Sequence, residues 1–382
     1  MKDVFTKIES PAYIIDKEAL EKNLKILKSL QEDTGCRVLL AQKAFSCYPL
    51  YKWIGQYLYG TAASGLYEAR LGKEEMNKES HVFSAAYRDD EIESLIKYSD
   101  HFVFNSVSQL KKYAGRLKAE NKHLGIRINP MCSTQQGHEI YDPCAKGSRL
   151  GVTKSQWEAQ ADEEVIKMLD GVHFHTLCEQ NADDLQTTLN AVEEQFKNLL
   201  MRPEIKWINF GGGHHITKKD YKIDILKKCI KKMQEKYNLT VYIEPGEAVA
   251  LNAGYLTSRV LNIVENEIKI AILDSSAACH MPDVIEMPYT PPLMNAKEPG
   301  VLKYNYRLGG PTCLSGDVIG DYSFDKELSP GDLLIFEDMA IYTMVKNNTF
   351  NGMKLPSIYV YENNKCSLLK QFGYEDFKCR LG

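Results

Sequence analysis

The chain has 382 residues, 44% of them hydrophobic and 26% charged, with a formal net charge of −4. That length allows about two domains with a sizeable core, and the mild negative balance excludes a dedicated nucleic-acid binder, which needs a basic face for phosphate. No run reaches the ~18 apolar residues of a membrane span, residues 1–10 lack the apolar core of a secretory signal, and ten cysteines without a CxxC pair read as reduced thiols of a cytoplasmic protein.

Residues 11–16 (PAYIID) read as a lone strand. Leu20, Leu24 and Leu27 then repeat at i, i+4, i+7, the spacing of one helix face. From there short β-branched or aromatic runs predict strands at 38–42, 59–63, 81–85, 101–105, 124–128, 172–176, 206–210 and 240–244. Between them lie helical patterns. Ile92, Leu95 and Ile96 follow Asp89-Asp90, which reads as a helix start, and 183–200 and 221–237 read as longer amphipathic helices. Eight strands alternating with helices predict a parallel sheet closed into a (β/α)8 TIM-like barrel, with a doubly wound open sheet as the competing fold. After about residue 251 the helical periods fade. Strand-like runs at 257–264, 268–274, 333–336 and 357–361, among many Gly and Pro, predict a mostly β C-terminal domain. The expected boundaries are 16–250 for the barrel, and 1–15 plus 251–382 for the β domain.

Functional residues of such a barrel sit at the C-terminal ends of its strands. Lys43 ends the run Leu39–Gln42. It reads either as a rim lysine that snorkels to water or as a desolvated amine that forms a Schiff base. His173 and His175 share one parity and so one side of their strand. An HxH at a strand end is also how barrel hydrolases hold a metal, with His214 and His215 as further donors. Gly211-Gly212-Gly213 follows a strand and precedes a helix, where freed backbone N–H groups can cradle a phosphate, although a glycine triplet is also a common tight turn. Glu244 ends the last barrel strand, as a buried carboxylate needing a donor or as an exposed acidic turn. A lysine, a phosphate loop, a stackable imidazole and a carboxylate are together what pyridoxal phosphate requires.

With these residues in view the chain resembles the alanine racemase-fold pyridoxal-phosphate decarboxylases, among them the ornithine, arginine and diaminopimelate enzymes. The resemblance runs from Pro11–Asp16 through Ala41-Gln42-Lys43-Ala44, Ile126-Arg127-Ile128-Asn129-Pro130, His173-Phe174-His175, Gly211–Gly213 and Glu244-Pro245-Gly246. It ends with Gly310-Pro311-Thr312-Cys313 and Met339-Ala340-Ile341-Tyr342. It implies that Lys43 is the Schiff-base lysine, His175 the ring-stacking imidazole, Gly211–Gly213 the phosphate loop and Glu244 the partner of the pyridine nitrogen. It implies further that Cys313 crosses from the partner subunit of a homodimer to protonate the substrate carbon. Tyr342 would touch the cofactor phosphate.

Several departures from the common pattern resemble the branch that decarboxylates the carboxylated triamines carboxynorspermidine and carboxyspermidine. Glu247 stands where the family's turn carries arginine, Cys313 is followed by Leu314-Ser315-Gly316-Asp317, and 274–283 reads DSSAACHMPD. Exchanging a cation for Glu247 suits a tail rich in amines and repels the second carboxylate of diaminopimelate. The resemblance implies Glu247, Asp283 and Asp317 as substrate ligands, with Asp283 also readable as a helix-start or turn residue after Pro282. The competing readings are a diaminopimelate or other basic amino-acid decarboxylase, a metal-dependent barrel hydrolase, and a silent binding protein of the same fold. Retention of Lys43 and Cys313 together argues against the last.

Overall fold

The computed structural model describes residues 2–135 and 142–382. The chain divides into two compact units: Asn23–Val249, and Met1–Lys22 with Ala250–Gly382.

In chain order the strands are β1 (Ala12–Asp16), β2 (Arg37–Ala41), β3 (Gly60–Ala63), β4 (Glu79–Phe83), β5 (His101–Phe104), β6 (His123–Asn129), β7 (Val152–Thr153), β8 (Gly171–His173), β9 (Trp207–Asn209) and β10 (Thr240–Ile243). Strands β2-β3-β4-β5-β6-β8-β9-β10 pair in parallel all the way round, and β10 closes onto β2. This is the eight-stranded barrel expected from the sequence, and it excludes the open sheet. The two-residue β7 lies outside the ring and pairs only with β6.

The helices bury apolar stripes at helical spacing. Lys17–Thr34 hides Leu20, Leu24, Leu27 and Leu30 completely, and Ile223–Tyr237 hides Leu226, Cys229, Ile230 and Met233. Asp89 and Asp90 do not start the helix Ile92–Tyr98. Its N-cap is Glu91, which makes no side-chain cap, while Asp89 pairs with Lys112 and Tyr113 and Asp90 with Arg88. Partners on the neighbouring helix Val107–Ala119 engage Asp89, and the adjacent Arg88 engages Asp90, in place of the local capping role.

The lower barrel is filled by Leu39, Val103, Trp207 and Tyr242. Trp207 fits only because two neighbours are glycine: a Cβ on Gly171 would lie 2.0 Å from the indole and one on Gly125 2.3 Å. Along β9 and β10 the same inward parity carries Trp207 to Asn209 and Tyr242 to Glu244, so polar groups replace the aromatic plug toward the strand ends.

The second unit contains β1, β11 (Gly254–Asn266), β12 (Ile268–Leu273), β13 (Ala296–Lys297), β14 (Tyr304–Gly309), β15 (Val318–Phe324), β16 (Leu333–Glu337), β17 (Ser357–Glu362) and β18 (Lys365–Lys370). The sheet order is β13-β15-β14-β12-β11-β1-β17-β18, with β16 on β11. The lone N-terminal strand is inserted here, antiparallel to β11 and parallel to β17. Phe5, Ile14, Ile335 and Tyr361 form its core cluster.

Candidate active site

At the C-terminal ends of the barrel strands the structure brings Lys43, His175, Gly211–Gly213, Glu244 and Glu247 into one unit. Lys43 stands in the turn after β2. Gln42 N–H donates to the Ala62 carbonyl and Ala44 N–H to that of Ala41, while Ala41 N–H reaches the Pro245 carbonyl. Gly246 must be glycine for this, since a Cβ there would lie 2.6 Å from Ala44 Cβ. Lys43 is open to solvent yet ringed by protein. Desolvation lowers its ammonium pKa and Arg127 pushes the same way, against the pull of Glu244.

Glu244 is held as an anion. Asn209 Nδ2 donates to its Oε1 at 2.6 Å, and His173 Nε2 lies 3.4 Å from Oε2. Burial opposes its ionisation, but His173, His81 and the Asn209 amide outweigh that and hold its pKa at about 2. Burial lowers the pKa of His173 itself, against the pull of Glu244.

His175 lies just beyond β8, which ends at His173 rather than at the expected residue 176. Burial, then Lys43 and Arg127, drive its pKa well below the usual value, so the ring is neutral. Its Nδ1 accepts from Gly212 N–H at 3.1 Å, which assigns the proton to Nε2.

The glycine loop is packed as only glycine permits. Added Cβ atoms would lie 2.5 Å from the Phe174 carbonyl oxygen at Gly211, 2.6 Å from that of Glu244 at Gly212, and 2.0 Å from that of Leu177 at Gly213. Gly211 and Gly213 also take positive φ, +69° and +80°. Two of the three N–H groups are spent inside the protein, Gly211 on Asn209 Oδ1 at 2.9 Å and Gly212 on His175. Gly213 N–H makes no hydrogen bond among the described residues.

The sequence reading assigns no role to Asn209, and Arg127 enters it only within the run Ile126–Pro130, although each is a polar residue at inward parity on its strand. Arg127 is buried and its pKa is pushed down to about 10 by desolvation. It stacks over Phe83, and its Nη2 donates to the His175 carbonyl at 3.4 Å.

Glu247 opens a short helical turn and pairs with His215, Nε2 to Oε1 3.2 Å. Glu179 joins them: one ligand atom from each of the three lies within 4.8 Å of the other two. The other three-donor group among the described residues is Glu79–His81–His101. Neither contains His173, His175 or His214, so the four histidines of the hydrolase reading do not converge on one ion.

Asp283, Cys313, Asp317 and Tyr342 belong to the second unit. Cys313 is exposed in the loop between β14 and β15, and its N–H donates to Asn351 Oδ1 at 3.1 Å. Asp317 is buried and accepts from Thr312 Oγ1 (2.6 Å), Ser276 Oγ (2.9 Å), Ala278 N–H (3.2 Å) and Thr312 N–H (3.4 Å). Asp283 begins the one-turn helix Asp283–Glu286 and is ion-paired with Lys346. Tyr342 sits at positive φ (+48°) at the N-cap of Thr343–Lys346.

Residues 12–340 match the family model described as pyridoxal-dependent decarboxylase, C-terminal sheet domain. A carboxynorspermidine/carboxyspermidine decarboxylase of Campylobacter jejuni subsp. jejuni serotype O:6 is 42% identical, over 98% of this chain and 99% of that one. A carboxyaminopropylagmatine decarboxylase of Synechocystis sp. is 40% identical, over 99% and 96%. The crystal structure of Campylobacter jejuni carboxynorspermidine decarboxylase complexed with norspermidine superposes with a TM-score of 0.89 at 41% identity, covering 98% of this chain and all of that one. The chain belongs to the pyridoxal-dependent decarboxylase family.

Proposed function

We propose, from that membership, that this chain is a pyridoxal phosphate-dependent carboxy-lyase of polyamine biosynthesis. It removes the α-carboxylate of carboxynorspermidine, carboxyspermidine or both, giving norspermidine or spermidine. The observation that carries the reading is an ionised Glu244, locked by His173 and Asn209, in the same barrel unit as a lysine of lowered pKa.

The residues fit the cofactor. Pyridoxal phosphate, when bound, supplies the electron sink for loss of CO2. Lys43 offers the amine that holds the cofactor aldehyde. The side-chain-free backbone of Gly211–Gly213, with the uncommitted N–H of Gly213, receives the phosphate, and Tyr342 touches it. Neutral His175 would pack against the cofactor ring without adding charge, and the ionised Glu244 would favour a protonated pyridine nitrogen. Cys313 returns a proton to the substrate carbon from the neighbouring subunit of a homodimer, with the β unit supplying that interface. Glu247 and Asp283 receive substrate amines. Asp317 serves the substrate side through the Thr312–Cys313 loop that it holds. The ten free cysteines suit a reducing compartment, and we place the enzyme in the cytoplasm; among the described residues no helix is long and apolar enough to cross a membrane.

A second reading, decarboxylation of carboxyaminopropylagmatine, draws on the Synechocystis relative and differs in a terminal guanidinium. CO2 release from the loaded enzyme on a panel of carboxynorspermidine, carboxyspermidine, carboxyaminopropylagmatine, diaminopimelate, ornithine and lysine tests both. The triamines should be turned over fastest. Preference for diaminopimelate would overturn the assignment.

A further inference from the structure

The barrel end opposite Lys43 carries a second group of chemically able side chains. Glu79, His101 and His123 are the first residues of β4, β5 and β6. His81, His101 and His123 stand in register, so three imidazoles form one row across three neighbouring strands. His81 and His101 are buried against Trp207 and Tyr242 of the plug that fills the lower barrel. Glu79 turns one carboxylate oxygen to both rings: its Oε1 lies 3.0 Å from His81 Nε2 and 3.6 Å from His101 Nε2. The other oxygen faces Arg37 Nη1 at 3.7 Å. His101 is the poorly served member. Its Nδ1 has no hydrogen-bond partner among the described residues, and its Nε2 meets Glu79 beyond hydrogen-bond distance.

Two buried imidazoles and a carboxylate turned to one point are a donor set for a divalent transition ion. Donors ~2.1 Å from one tetrahedral ion lie ~3.4 Å apart, and the 3.0 and 3.6 Å contacts fall on either side of that separation. One ligand atom from each of the three residues lies within 4.8 Å of the other two. The rings stack, 3.9 Å between centroids and 9° from parallel, and a splay of the pair turns both Nε2 lone pairs onto one ion. An opening of about 380 Å³, lined by Glu79, His101 and His123 among others, gives the ion a way in and water a fourth position. A hydrogen bond from His81 to Glu79 leaves the other buried ring unserved, whereas one ion engages both. We propose that Glu79, His81 and His101 bind one divalent transition ion, Zn(II), at the N-terminal end of the barrel. The ion bridges β4 to β5 and serves stability rather than turnover, in keeping with that end of such a barrel. The site shares no residue with the proposed chemistry at Lys43 and stands whether or not that reading holds.

The test uses tag-free, cofactor-loaded protein stripped of metal with a chelator. Calorimetric titration with Zn(II) should show one tight site per chain. The thermal midpoint should rise with Zn(II), because an ion held only by the folded chain stabilises it. His101→Gln and Glu79→Gln should each weaken that site at least ~100-fold, the upper end of what losing an outer-shell partner alone costs, and should abolish the rise. Co(II) in the same site should give the visible absorbance of four-coordinate nitrogen and oxygen ligation, with no thiolate charge-transfer band. Crystals of the wild type grown with Zn(II) should show an anomalous peak among Glu79, His81 and His101, which decides the question even if neither variant folds. A wild type without a tight Zn(II) site, a folded variant that binds Zn(II) as the wild type does, a thiolate band, or no peak among these three residues would each overturn the site.

Discussion

Asn209 ties the two halves of the barrel-mouth site together, donating to Glu244 at 2.6 Å and accepting from Gly211 N–H at 2.9 Å. Asn209→Asp keeps the shape and the acceptor but sets a second carboxylate oxygen against Glu244. Two such charges about 4 Å apart repel by ~4 kcal/mol at an effective dielectric of ~20. At ~1.4 kcal/mol per pKa unit this is about three units, so the folded pair keeps one proton up to about pH 7. The introduced acid titrates near ~3.9 in the unfolded chain. Below about pH 4 both states hold that proton, which can bridge to Glu244 as the amide did, and the variant should match the wild type. Between about pH 4 and 7 only the unfolded chain sheds it, and stability should fall progressively, by up to ~4 kcal/mol, before levelling off. Wild-type Glu244 runs the other way. With its pKa lowered to about 2, its contribution is full above the ordinary value of 4.5 and is lost as pH falls through about 2. Denaturant unfolding of the cofactor-free protein at pH 5, 6, 7 and 8 measures the gap. Asn209→Ala is the control, with a pH-independent cost of about 2–4 kcal/mol for a lost charged hydrogen bond and an orphaned Gly211 N–H. A pH-independent gap for Asn209→Asp would refute the coupling of Asn209 to an ionised Glu244.

Gly212→Ala places a Cβ 2.6 Å from the Glu244 carbonyl oxygen, a backbone atom that cannot swing aside. It should destabilise by ~1–3 kcal/mol and weaken pyridoxal phosphate binding at least tenfold in an absorbance titration, and unaltered affinity would count against the phosphate loop. For the proposed homodimer, Lys43→Ala and Cys313→Ala subunits, each nearly inactive alone, should recover about a quarter of wild-type activity after mixing and re-equilibration, because half the dimers are mixed and each carries one intact site. No recovery despite demonstrated exchange would mean that each site is built from one chain.

The barrel was legible because its signal is local. Parallel strands buried on both faces read as short apolar runs, and helical patterns at 20–27, 92–96, 183–200 and 221–237 punctuate them. Positions near their ends were legible by parity: Tyr242 to Glu244 and His173 to His175 each step two residues toward the same mouth. The same rule applied to Trp207 would have reached Asn209, and applied to Gly125 it would have reached Arg127. β13, β14, β15 and β18 were not legible, because pairing, not pattern, makes them strands. β14 (YNYRLG) has little alternation, yet it is held between β12 and β15. Glu179 was invisible for a related reason: only the turn after β8 brings its carboxylate toward Glu247.

Acidic residues show most clearly where sequence reasoning stops. Composition presents Asp283, Asp317, Glu179 and Glu247 as equals, and what separates them is their partners. Asp317 accepts four hydrogen bonds from its own unit, so a substrate amine would have to displace Thr312 or Ser276 to reach it, giving up bonds as good as those it formed. Asp283 already holds the ammonium of Lys346, which a substrate amine could replace only at near-equal exchange. At the barrel rim Glu247 faces the His215 imidazole rather than an ammonium, so a substrate amine there would meet a weaker competitor. Of these carboxylates Glu247 should therefore contribute most to polyamine affinity, and Glu247→Gln should cost more in KM for a carboxylated triamine than Asp283→Asn, a ranking that steady-state kinetics on both variants would check.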